Sequence, residues 1–268
     1  FLSHLDGPTR ELLYLASYLE PLTLEALDQL ARDVSRPDLA DAAPALLQRS
    51  VCLADASDAP TLHALMREQL QARERLDRPA AFRDRHTAMF QRCAARCESL
   101  DPRDANDAWI AAFLQGLAHQ AALEAAAISD PTISTWDFAH PRIDALLAAG
   151  RWSAMLVASQ TVSAAPRLRD WQTLWLRFEA ARALSRLGRY EEARDAFAAL
   201  LDDKARLLGA DHPNLLTTRF ELAGLLQRTG RYEEARDAFA ALLDDQTRQL
   251  GADHPDLLFT RFELAGLL

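Results

Sequence analysis

The chain has 268 residues, 49% of them hydrophobic and 26% charged, with a formal net charge of −9. That length holds one large or two ordinary domains, while nine Gly, twelve Pro and three Cys exclude a low-complexity disordered chain and a disulfide scaffold. Of thirty Lys plus Arg only Lys204 is lysine, and no Gly-Lys-Ser/Thr occurs, so no phosphate-binding loop lies within the chain. Ala makes up roughly a fifth of the residues and β-branched residues are scarce, the composition of closely packed helices. No apolar run approaches the ~20 residues that span a bilayer, and residues 1–6 have neither a charged n-region nor an apolar h-region. The absence of an initiator Met, and an end at Leu267-Leu268 inside a patterned helix, lead us to expect a piece of a longer cytoplasmic protein.

In chain order, residues 8–19 read as a helix with Leu12, Leu13, Leu15, Ala16 and Leu19 on its apolar side. Residues 24–33 form a second helix. Ser35 can cap a third at 37–48, with Asp38 three residues on as in a capping box. Val51-Cys52-Leu53 and Thr61-Leu62-His63 flank a polar turn at 55–60, a hairpin pattern, and 65–76 resumes a helix. Three helices followed by a two-stranded wing is the order of a winged helix. Such modules often bind DNA, but residues 1–79 carry thirteen acids against eight arginines, and the third helix offers Asp38, Asp41 and only Arg49 near its end. That charge repels phosphates, so no nucleic-acid partner is expected.

Residues 81–99 and 104–127 are helical by pattern. Cys93 and Cys97 lie one turn apart, with His86 seven residues before Cys93; three soft ligands on one helix without a fourth fit core-facing side chains better than a metal site. No metal is expected, and no catalytic pattern (Gly-x-Ser-x-Gly or His-Glu-x-x-His) occurs. We therefore expect no enzyme activity from the chain itself.

The C-terminal part repeats. Residues 188–226 match 230–268 at 34 of 39 positions, a shift of 42. Leu215, Leu216, Leu222, Ala223, Leu225 and Leu226 stripe a first helix that ends at Gly230. Tyr232, Ala235, Phe239 and Leu242 mark a second. Gly251 stops it, and Asp253-His254-Pro255 restarts the chain with a cap and an early Pro. Ala181, Gly188, Tyr190, Ala193 and Phe197, with Ala223, Gly230, Tyr232, Ala235 and Phe239 in the next copy, resemble the 42-residue tetratricopeptide repeat (TPR) of kinesin light chains. A degenerate unit precedes them, with Trp152 in place of the repeat's Tyr and Met155 in place of Ala.

The resemblance implies a right-handed helical solenoid whose first helices line a groove for a protein or peptide. Its register places Trp175, Phe178 and Arg182, then Phe220, Glu221 and Gly224, then Phe259, Phe262 and Glu263 in that groove. The recurrent Phe can equally be packing against neighbouring helices. The expected fold is mainly α: a small winged-helix domain at 1–79, connecting helices or degenerate repeats at 80–140, and a TPR array at 141–268.

Leu46-Leu47-Gln48-Arg49-Ser50-Val51 and Leu62-His63-Ala64-Leu65-Met66-Arg67-Glu68 resemble the winged helix that follows the nucleotide-binding core of NB-ARC proteins, the nucleotide-switch ATPases of the STAND class. That resemblance implies nucleotide sensing by His63 against ADP held in a core absent from this chain; Ala64 replaces the family's Asp. No cofactor is expected in the chain, and ADP or ATP only in the parent. The implied function is the sensor half of such an ATPase, with the missing core and a groove ligand as partners, no membrane, and ligand-induced oligomerisation of the parent. The alternatives are a stand-alone TPR scaffold and a winged-helix transcription regulator.

Overall fold

The computed structural model describes residues 7–17, 27, 29, 31–32, 39, 52–54, 60–62, 64–102, 106–126 and 134–267. The fold is mainly α. The elements are α1 (Gly7–Ala16), β1 (Cys52–Ala54), β2 (Pro60–Leu62), α2 (Ala64–Asp77), α3 (Pro79–Ser99), α4 (Asp107–Ala126), α5 (Thr135–Ala148), α6 (Trp152–Ser163), α7 (Asp170–Arg186), α8 (Tyr190–Leu208), α9 (Asn214–Arg228), α10 (Tyr232–Leu250) and α11 (Asp256–Ala265). The chain divides into two compact units, one of Phe1–Asp101 with Asp107–Thr135, the other of Pro102–Asn106 with Trp136–Leu268.

In the first unit α1 buries Leu12, Leu13 and Ala16, as its periodicity predicts. β1 and β2 pair antiparallel, Cys52 opposite Leu62 and Ala54 opposite Pro60, the hairpin expected from the polar turn. The helices expected at 24–33 and 37–48 lie largely outside the described residues. So does His63.

The patterned segments at 81–99 and 104–127 are α3 and α4, and both belong to this unit. Phe82, Met89, Phe90, Cys93 and Cys97 of α3 are buried, as are Trp109, Phe113 and Leu117 of α4. The Cys97 thiol lies 3.9 Å from the Trp109 carbonyl oxygen, and burial pushes the Cys93 thiol up to about 11. His86 meets His119 of α4, Nδ1 to Nδ1, at 3.0 Å. Burial lowers His86 to about 3, helped by its neighbour, and lowers His119 to about 4. The sulfurs and His86 therefore serve the α3–α4 core.

An ionic knot ties α1, α2 and α3. Arg85 is buried and pairs with Glu74 at 2.9 Å and with Glu11. Arg78 reaches Glu11 at 2.6 Å, and both guanidinium groups stand over the Tyr14 ring.

The second unit is built of helical hairpins. Gly150, Gly188 and Gly230 have φ of 67°, 77° and 79° where a first helix hands over to a second. Trp152, Tyr190 and Tyr232 each begin the helix that follows, so Trp152 holds the Tyr position of the degenerate unit. Met155 is fully buried where the full repeats use Ala193 and Ala235. Phe197 and Phe239 are fully buried, the latter among Leu216, Ala223 and Leu242. Ala193 and Ala235, also fully buried, leave room for close helix approach.

The restart between hairpins is capped by histidine rather than by the preceding Asp. The Asn214 amide donates to His212 Nδ1 at 3.1 Å, and the Asp256 amide to His254 Nδ1 at 3.3 Å. First and second helices of each full repeat are cross-linked in the same way, Arg177 to Asp203 at 2.5 Å and Arg219 to Asp245 at 2.7 Å.

Candidate binding surface of the repeat unit

The groove residues expected from the repeat lie on α7, α9 and α11, the first helices of successive hairpins, but they do different work. Phe178 and Phe220 are half-buried and stand edge-on to Phe197 and Phe239, with ring centroids 5.5 Å apart in both pairs. These two rings hold a first helix to its second, the packing role left open by the sequence. Phe259 and Phe262 on α11 are 67% and 77% exposed.

Arg182 bonds Glu179 through both carboxylate oxygens at 3.1 Å and approaches Glu221 of the next repeat at 3.9 Å. Burial raises the Glu179 carboxyl, Arg182 opposes that shift, and Asp144 and Glu221 add to it. Glu179, Glu221 and Glu263 occupy one register position in three copies, and Arg182 stands between the first two. At Gly224 an added Cβ would meet nothing within 4 Å, so the space in front of the helix is open. Arg228 extends from the same helix to the Ser185 hydroxyl at 2.5 Å, linking the first helices of adjacent repeats.

Trp175 belongs to an aromatic cluster wider than the sequence pattern shows. Trp136 stacks on His140 at 4.7 Å and meets Trp171 at 5.2 Å and Trp175 at 5.5 Å, both edge-on. Beside it opens a pocket of about 650 Å³ whose walls include Trp171, Leu174, Trp175, Phe178, Leu207 and Leu208. Arg169 and Asp170, both exposed, lie at this pocket too. Lys204, the chain's single lysine, lines it and is only 8% exposed. Its Nζ donates to Thr218 Oγ1 at 2.9 Å and to the Asn214 carbonyl at 3.2 Å, and stands 4.9 Å from the Phe178 ring centroid. Desolvation lowers its pKa.

Trp136, Trp171 and Lys204 were not among the site residues expected from sequence. Trp171 and Trp175 at i, i+4 spacing and a lone lysine are the available signals, yet neither reveals that α7 and α8 bring them to one cavity.

Comparison with known proteins agrees with the repeat geometry. The tetratricopeptide repeat family model matches residues 172–244 and 219–268. Two solved structures are similar over most of the chain, both from a Podosopora anserina protein assigned as a kinesin light chain with nearly identical TPR-like repeats. One, a point variant, is 20% identical, with 92% of this chain and 99% of that chain covered and a TM-score of 0.43. The other is 21% identical, with 86% and 98% covered and a TM-score of 0.43. No curated protein matches the chain. The helical hairpins of residues 172–268 are tetratricopeptide repeats.

Proposed function

We propose that the chain is a protein-interaction module whose first-helix face, around Arg182, Glu221 and Gly224, receives a peptide segment carrying cationic and apolar side chains. The observation that carries this reading is Gly224. A glycine inside a helix costs about 1 kcal/mol relative to alanine, and no neighbouring atom requires one here. Gly266 holds the same register in the next copy. Open space beside paired charges lets a partner backbone come close to the helix. Glu221 and Glu263, both partly exposed, favour a cationic partner.

Short peptides selected from a random library against the folded chain should carry Lys or Arg beside apolar residues. Their affinity should fall at least tenfold in Gly224→Trp and in Glu221→Lys, with melting temperature unchanged. Equal binding to both variants would place the interaction elsewhere.

A second reading draws on the first unit. The β1–β2 hairpin is followed directly by α2, with His63 at the junction in sequence, ahead of a repeat array. In that reading the hairpin-bearing unit is the winged helix of a STAND-type ATPase, and His63 contacts ADP in a nucleotide-binding core. Groove occupancy then shifts the population toward the exchanging, oligomer-forming state. In a longer protein that contains such a core, His63→Ala should accelerate release of ADP, and unchanged release would reject this reading.

A further inference from the structure

Two of the tetratricopeptide repeats are near-copies, and their differences are not scattered. Across the 39 aligned positions of 188–226 and 230–268 the changes are Lys204/Gln246, Ala205/Thr247, Leu207/Gln249, Asn214/Asp256 and Thr217/Phe259. Lys204, Leu207, Asn214 and Thr217 all line the 650 Å³ pocket. The two copies differ almost wholly where one cavity opens, and the remaining positions, buried and exposed alike, are the same.

The direction of divergence has a chemical meaning. Lys204 replaces a neutral amide and Asn214 replaces a carboxylate, so the pocket is two charge units more positive than the same places in the sister copy. Leu207 in place of Gln249 makes the wall apolar. Thr217 in place of Phe259 removes a ring's volume from the opening.

Packing does not require the lysine, because the sister copy buries a neutral Gln246 at the same position, at 4% exposure. Lys204 has two of its three ammonium N–H groups bonded to uncharged oxygens, and no carboxylate stands within ion-pair distance among the described residues. A desolvated cation without a counter-charge is unfavourable by itself. Around it, Trp171, Leu207 and Leu208 remain 54%, 49% and 37% exposed, an apolar rim open to a guest. The volume lies within the usual range of small-molecule sites, roughly 300–1,000 Å³.

We propose that this pocket between α7, α8 and α9 binds a small organic anion with an apolar body, its charged group received by Lys204 and its body held among Trp171, Trp175 and Leu207. The site is separate from the peptide-binding face around Gly224, so either can fail without the other.

The test is titration of the folded chain with hexanoate, decanoate and 3-phenylpropionate, and with 3-phenylpropionamide as the neutral isostere. Binding is read by calorimetry and by fluorescence of the lining tryptophans. At least one carboxylate should saturate at millimolar concentration or below, and 3-phenylpropionate should bind at least tenfold more tightly than its amide. Lys204→Gln should abolish that preference, and Thr217→Phe should block both ligands. Both substitutions install residues that the sister repeat already carries, so circular dichroism and melting temperature should be unchanged.

Should Lys204→Gln disturb the fold, Leu207→Gln at an exposed wall position should still weaken acid and amide alike by severalfold. No saturation by any carboxylate would overturn the proposal, as would equal affinity for acid and amide, or an acid affinity indifferent to Lys204→Gln or Leu207→Gln in folded protein.

Discussion

Phenylalanine side chains of the repeat unit carry different weights because burial differs. Phe239 is fully buried against Phe220, Leu216 and Leu242, whereas Phe262, in the register of Phe220, is 77% exposed. Phe239→Ala should destabilise the repeat unit by about 3–5 kcal/mol, and Phe262→Ala by no more than about 0.5 kcal/mol, as measured by urea denaturation. The His86–His119 contact makes a prediction of a different kind. Both rings titrate in the folded protein far below 6.5, near 3 and 4. Between those values and 6.5 the unfolded chain binds more protons, so stability is complete above about 6.5 and is lost as pH falls toward 4. The slope approaches about 1.4 kcal/mol per pH unit for each histidine. Unfolding midpoints of the wild type at neutral and mildly acid pH should reveal it, and His119→Asn should flatten the dependence. An unaltered slope in that variant would assign the acid sensitivity to other groups.

Helices in the repeat unit begin and end at places set by backbone chemistry. Gly188 and Gly230 have φ near 77° and 79°, a region that a Cβ strains whatever the space around it. Gly188→Ala should therefore cost about 1 kcal/mol or more, although no atom lies within 4 Å of the added methyl. A thermal melt of the variant checks this; an unchanged midpoint would mean that the turn relaxes freely. The restart is held by a side chain: His212 accepts the Asn214 amide and His254 the Asp256 amide. Loss of a helix cap costs about 1 kcal/mol, so His212→Ala should expose the first turn of α9, read as faster amide exchange over 214–217. The Gly stops and the early Pro were readable from the sequence, since such preferences act over one or two residues. That the His and not the Asp supplies the acceptor was not, because both residue types can cap and their order in the chain does not choose between them.

For the repeat array as an assembly, each hairpin is stabilised mainly by its neighbours, so protection against exchange should be graded along it. Helices α8, α9 and α10, with buried Phe197, Leu215, Leu225 and Phe239, should exchange slowest. The α11 helix, with only Leu257 and Thr260 buried, should exchange fastest. Phe239→Ala should accelerate exchange in α9, α10 and α11 while leaving α6 close to wild type, and uniform acceleration would contradict nearest-neighbour coupling. The period of 42, the helical hairpins, the glycine turns and the α1, α3 and α4 segments were all legible in the sequence, because propensity and apolar periodicity act within a few residues. That Phe178 and Phe220 pack was not legible, since it depends on the second helix bringing Phe197 and Phe239 against them. The Arg85–Glu11 pair joins residues 74 apart and His86–His119 joins residues 33 apart, separations over which local pattern carries no information. Lys204 is the sharpest case. The sequence shows it as the one lysine of an arginine-rich chain and as one of five differences between two repeats. Packing of three helices against one another places that ammonium in an apolar cavity, and desolvation there turns an ordinary surface cation into a candidate anion receptor.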